Sequence, residues 1–229
     1  MSHPAPAPAP APATLDSLLH DAELAHGHLC AGQILGVRMA MLALRLLNLP
    51  DPRGADAQSR AARKRIVTFV EIDRCATDAI AVVTACRLGK RALKFRDWGK
   101  MAATFIDLGP GAALKPPQPD LTGSRAVRIS ALDSSKARAA ELYPGLDKNS
   151  AQMLAYRTLP DEELFSTQWV RVPLGPEEMP GYKPGSGSAR ITCARCGEGI
   201  SFARETVTPS GETLCRPCSN SALQYWQPL

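Results

Sequence analysis

The sequence predicts an α+β fold, a mostly antiparallel sheet with helices packed on it, followed by a small C-terminal zinc ribbon. Short β-branched runs alternate with helical runs but lack the regular strand–helix–strand spacing of a parallel sheet. Hydrophobic residues make up 45% of the 229 residues and aromatics only 5%, so the core is aliphatic. Finally, GPEEMPGYKPGSGSA has the Gly, Pro and Ser content of a linker and stands just before four paired cysteines.

The elements follow in order. Residues 1–13 are an Ala-Pro repeat with nothing to bury, which predicts a disordered or polyproline-like tail. Thr14 caps a helix over LDSLLHDAELAHG, with Leu15, Leu18 and Leu19 at helical spacing and Gly27 as its end. GQILGVRMAMLALRLLNLP is apolar nearly all round. Its Arg38 and Arg45, seven apart, share one helical face, and Pro50 bars continuation. DPRGADAQSR reads as a loop and RIVTFVEI as a strand. In DRCATDAIAVVTACRLGK, Thr77 or Asp78 caps a short helix ending near Gly89, with Cys86 as a core residue. RALKF and KMAATFIDL are strands joined by the turn RDWG, and GPGAALKPPQPD is a loop. RAVRISAL is a strand, KARAAELYPG and NSAQMLAYRTL are helices, LPDEELF makes a turn, and QWVRVPL is the last strand. The expected domains are a tail over 1–13, a core over 14–174, a linker over 175–189 and a metal module over 190–229.

Charge and hydropathy exclude several classes. The best apolar stretch, Ile34 to Leu49, contains two arginines and falls short of the roughly 20 residues that span a bilayer. The N-terminus shows neither the basic nor the apolar region of a secretory signal, which predicts a cytoplasmic protein whose seven cysteines are thiols or metal ligands. The net charge of +5 is modest but concentrated: Arg60 to Lys100 holds eleven Lys and Arg against four Asp and Glu. Such a segment suits a solvated face, an acidic partner or an anionic small molecule.

Cys193, Cys196, Cys215 and Cys218 form a C-x2-C-x18-C-x2-C pattern. Two-residue gaps let one tight turn offer two sulfurs to one ion, and the 18-residue spacer returns the chain to complete a closed four-thiolate Zn2+ site. Gly197 permits the first turn, and Pro217 is expected to lie outside any helix. The metal free energy is then folding free energy for a module too small to fold unaided. The finger resembles the DksA/TraR type. Four Arg and three Glu from Arg190 to Arg216 argue against a nucleic-acid reader and for a protein contact.

A second constellation lies in the core. His26, His28 and Cys30 alternate in HGHLC, so an extended backbone would turn all three to one side, and Cys30 immediately precedes a helix whose N-terminus favours thiolate. Imidazole with sulfur suits a second, borderline transition metal, and equally suits a cysteine nucleophile with His26 or His28 as acid or base. A buried thiol and a capping histidine would also account for these residues. EIDRC places Glu71, Asp73 and Cys75 at a strand end.

HGHLCAGQILGVRMA, EIDRCATDAIAVVTACRLGKRALKF and DWGKMAATF, in that order, resemble the FmdE family, named for formylmethanofuran dehydrogenase, over roughly Leu15 to Phe105. Ala31 and Ala85 depart from the family pattern, which usually has Pro and often Gly there. The resemblance implies an α+β core, a homodimer, a metal-associated role and a link to a molybdenum or tungsten enzyme. It matches His26, His28, Cys30, Asp73, Cys75, Lys90 and Lys100 to the family's polar motif positions. Three functions are compatible with these residues: a metal-binding accessory protein of a molybdenum/tungsten-enzyme or one-carbon pathway; an enzyme using Cys30 and His28 on an anionic small molecule held by Lys90 or Lys100; and a regulator whose finger contacts another protein.

Overall fold

The computed structural model describes residues 13–110, 123–175, 178–180 and 190–226. The expected Ala-Pro tail, most of the Pro-rich loop after Leu108 and most of the 175–189 linker lie outside the described residues. The chain divides into two compact units, residues 1–181 and 182–229.

The first unit opens with α1 (Leu15–His26), whose N-terminus is capped by the Thr14 hydroxyl accepting from Ser17 N–H, and which ends at Gly27 with φ 99°. Next come α2 (Ala31–Leu47), α3 (Ala57–Arg65), β1 (Ile66–Val70) and α4 (Cys75–Thr84). A single 3-10 turn, Leu88–Lys90, leads to β2 (Leu93–Phe95) and β3 (Ala102–Asp107). After these stand β4 (Arg125–Ala131), α5 (Ser134–Leu142), α6 (Lys148–Thr158), α7 (Asp161–Leu164) and β5 (Phe165–Val170).

Helix α3 takes residues 57–60 of the expected loop and Arg65 of the expected strand. It carries no apolar stripe, burying only Ser59 and Ala62, and its start is set by Asp56, whose carboxylate accepts from the Ser59 N–H and hydroxyl. The signal was therefore a cap rather than a periodicity. Helix α4 begins at Cys75, ahead of the expected Thr77 or Asp78 cap, and ends at Ala85 in the left-handed region, φ 54°. Cys86 lies beyond the helix but is buried, 1% exposed.

The five strands run in the order β2-β1-β3-β4-β5. β1–β2 is parallel and the other three pairs are antiparallel. RDWG does turn the chain between β2 and β3, yet those strands do not pair, because β1 lies between them: Thr68 faces Leu93 on one side and Phe105 on the other. Being central and covered on both faces, β1 buries all five residues of IVTFV. The last strand starts at Phe165, earlier than expected, and the chain leaves the sheet after Val170.

Alternation divides the sheet. Ile66, Val70, Ala103, Phe105, Val127 and Ile129 join the helices in the main core. α2 is central to that layer: it packs on α1, α4, α6, β3 and β4, so its all-round apolarity is covered within the chain. Its two charged residues meet one partner, with Arg38 2.7 Å and Arg45 2.5 Å from the Asp161 carboxylate. On the outer face, residues after β5 pass back toward β2, burying Leu174 and Met179 and pairing Glu178 with Arg96 at 2.6 Å. Beneath them Arg128 makes a two-pronged bond, 2.7 and 2.6 Å, to the Glu71 carboxylate.

The second unit has two small hairpins, β6 (Ile191–Thr192) with β7 (Gly199–Ile200) and β8 (Thr206–Val207) with β9 (Thr213–Leu214), then the short helix α8 (Arg216–Ser219). Its buried cluster is Cys193, Ile200 and Leu214. Pro217 lies inside α8, contrary to expectation, but in the first turn, where an N–H has no partner to lose.

Candidate functional site

The core site is built where α2 and α4 begin. Cys30 is the residue before α2, with extended backbone, and its thiol makes no capping bond; Cys75 is the first residue of α4. The two helices cross closely because position 36 carries no side chain, and the crossing brings their N-termini together. A Cβ built on Gly32 would lie 3.5 Å from Cys75 Cβ and 3.7 Å from Cys30 Sγ, so this glycine lies between the two cysteines. Burial pushes the Cys75 thiol above its ordinary value, and the neighbouring Cys30 pushes it further. Cys30 precedes α2 and Cys75 opens α4, so both stand at helix N-termini, where the macrodipole favours negative charge.

The histidines approach from α1. Gly27 breaks the extended run that the HGHLC alternation implied: His26 is the last residue of α1, and the left-handed turn folds His28 back until the rings are 4.8 Å apart. His26 Nδ1 is 2.8 Å from Asp78 Oδ2, an arrangement that orients an imidazole and leaves Nε2 for a ligand. Asp78 was legible only as a possible cap, although its spacing of three from Cys75 already placed both on one helical face.

The other expected residues separate. Asp73 is exposed in the loop before α4. Lys100 sits in the turn organised by the Glu71 carbonyl, which accepts from the N–H groups of Trp98 and Lys100, and its amine lies 5.7 Å from the Trp98 ring centre. The following Met101 lines a small cavity with Ala31 and Gly32, but neither Lys100 nor either cysteine lines it. Lys90 lies past the other end of α4, on a different cavity. Glu71 turns to the outer sheet face and is committed to Arg128.

In the second unit the four sulfurs of Cys193, Cys196, Cys215 and Cys218 all lie within 4.8 Å of one another. Among the described residues they are the cluster of three or more His, Cys, Asp or Glu ligands that closes to this distance. Cys196 and Cys215 sulfurs are 3.9 Å apart, which suits thiolates about 2.3 Å from one tetrahedral zinc. Backbone N–H groups of Cys196 and Cys215 lower the Cys193 pKa to about 6, whereas hydrogen bonding with Cys215 pushes Cys218 up to about 12. That asymmetry is what four crowded thiols show before a cation draws all of them into the thiolate form. The residues fit structural zinc.

A family model described as "FmdE, Molybdenum formylmethanofuran dehydrogenase operon" matches residues 25–166. The chain belongs to the FmdE family. A second model, the prokaryotic DksA/TraR C4-type zinc finger, matches residues 187–222. This FmdE chain is 37% identical over 92 residues to a probable S-adenosyl-L-methionine-binding protein of Archaeoglobus fulgidus, a match that covers 40% of the chain and 24% of that relative. The chain thus spans about a quarter of the relative's length. A tungsten formylmethanofuran dehydrogenase FmdE-like protein from Syntrophus aciditrophicus shares the fold, with a TM-score of 0.54 at 16% identity over 92% of this chain and 94% of the other. A metal-binding role accords with the FmdE match and the clustered cysteines. No helix of the described residues is long and apolar enough to cross a membrane.

Proposed function

We propose that this FmdE chain is a metal-binding accessory protein of a molybdenum- or tungsten-enzyme system or a one-carbon pathway. In this reading a second, transition-metal site in the core is formed by Cys30, Cys75 and the two histidines. What supports the reading is that Gly32 lies between Cys30 and Cys75 where α2 and α4 begin, and that His26 of α1 meets Asp78 on the same helix α4. Thiolate and imidazole ligands select borderline ions such as Zn2+. His26 and His28 are candidate ligands, and Asp78 orients His26. The finger's zinc is structural and its surface serves a protein contact, either a second copy of this chain in a homodimer or a molybdoenzyme partner.

Metal analysis of the purified protein tests this reading. Two equivalents are expected in the intact chain, one after Cys193→Ser and one after Cys75→Ser. A single equivalent, lost entirely with Cys193→Ser, would overturn the core site. Sedimentation at micromolar concentration tests the homodimer, for which a mass near 24.5 kDa is the contrary result.

A further inference from the structure

The far end of α4 carries a feature unrelated to the thiols. A cavity of about 800 Å³ opens between the C-terminal ends of α3 and α4 and the residues after β5. At ~1.5 Å rise per residue, the 10-residue α4 separates it from Cys75 by roughly 15 Å. Its cationic lining is Arg53, Arg63, Lys64, Arg87 and Lys90, and its other lining residues, among them Ala92, Leu108 and Met179, are all apolar. No carboxylate lines it among the described residues.

The cations are not equivalent. Arg53 is neutralised by Asp51 and Asp21. Arg63 is held by the Pro52 and Gly54 carbonyls at 2.7 and 3.4 Å, which fixes its guanidinium without cancelling its charge. Lys64, Arg87 and Lys90 are exposed and form no ion pair among the described residues. Cations at helix C-termini ordinarily offset the macrodipole, but two helix ends supply only about one negative charge together. Four unneutralised cations exceed that and the second carboxylate of the Arg53 cluster, leaving about two positive charges around an apolar-walled cavity.

We infer that this cavity binds a small molecule bearing two or more adjacent phosphate-type charges on an apolar body. The charge balance calls for a multiply charged head, and the fixed Arg63 guanidinium suits a tetrahedral oxyanion. Ala92, Leu108 and Met179 provide cover for an apolar body, which inorganic anions would leave unused. The inference is independent of metal in the core, since no thiol or histidine takes part.

Calorimetry on the full-length protein with inorganic pyrophosphate and geranyl diphosphate as probes tests it. Saturable binding of both is expected, at least about tenfold tighter for the geranyl compound, and weakened on the order of tenfold by Lys90→Gln and further by added Lys64→Gln and Arg87→Gln. Lys148→Gln, on α6, serves as the control for bulk charge and should leave binding unchanged. These positions are exposed, so thermal melts of the variants should match the parent. Absence of saturable binding at millimolar probe, or equal binding by the triple variant, would overturn the inference. So would binding of an RNA oligomer or of anionic lipid vesicles with neither diphosphate bound.

Discussion

Gly36 and Ala76 meet backbone to backbone: a Cβ on Gly36 would stand 2.5 Å from the Ala76 carbonyl oxygen and 2.8 Å from its Cα. Real side chains do not reach such distances, so the crossing of α2 over α4 exists only with glycine at position 36. Everything at the thiol site depends on that crossing, because it sets how far apart Cys30 and Cys75 begin their helices.

Gly36→Ala should therefore force α2 and α4 apart. An overpacking loss of about 1–3 kcal/mol is expected, read as a lower urea midpoint, together with reduced retention of the proposed core metal. A midpoint equal to the parent's would show that the crossing yields more easily than its backbone contact implies.

Cys30 and Cys75 should be shielded together. Alkylation of both is expected to be slow in the metal-loaded protein and fast after chelation, and His28→Ala should speed labelling before chelation. Mass spectrometry of labelled peptides resolves the two positions. Slow labelling in the folded, chelated protein at every pH would mark them as core thiols.

The finger should fail alone. Its buried cluster is three residues, too few to hold a fold without metal. Cys215→Ser should release zinc to a colorimetric chelator and abolish hydrogen-exchange protection over residues 190–226, while residues 15–170 keep theirs. Loss of protection in both regions would mean the two units do not fold independently.

The outer-face pair should be intolerant of halving. Glu71 is 2% exposed and both its oxygens bond Arg128. Arg128→Met leaves that carboxylate without its partner and should destabilise by about 3–5 kcal/mol, whereas the double variant with Glu71→Leu should recover most of the loss. Chemical denaturation of the two variants separates these outcomes.

Acid sensitivity should trace to Asp161. Burial alone would raise its pKa, but hydrogen bonds from Arg45 and Arg38 outweigh it and hold the carboxyl below its ordinary 3.8. The resulting stability is complete above the unfolded carboxylate's pKa of about 3.9 and is lost as pH falls through the lower folded value. Asp161→Asn should lower stability at pH 6 and flatten the decline below pH 4; an unchanged decline would assign it to other carboxylates.

Sequence alone determined the pieces whose causes are local. Alternation and β-branching marked the strands, the apolar run before Asn48 and Pro50 marked α2, and cysteine spacing specified a four-thiolate finger, because each is a property of neighbouring residues. α3 escaped since its only marker is the Asp56 cap and it buries almost nothing. Only the tertiary structure decided which pieces meet. β2 joins β1 rather than its neighbour β3 because α4 carries the chain across before the strand begins. By the same crossover Cys75, 45 positions after Cys30 in the sequence, comes to lie beside it, Asp78 finds His26, and Glu71, four residues before Cys75, turns to the opposite face. Contacts across such separations depend on how closely two helices approach, and here that distance is set by a missing side chain at Gly36, whose effect no local pattern expresses.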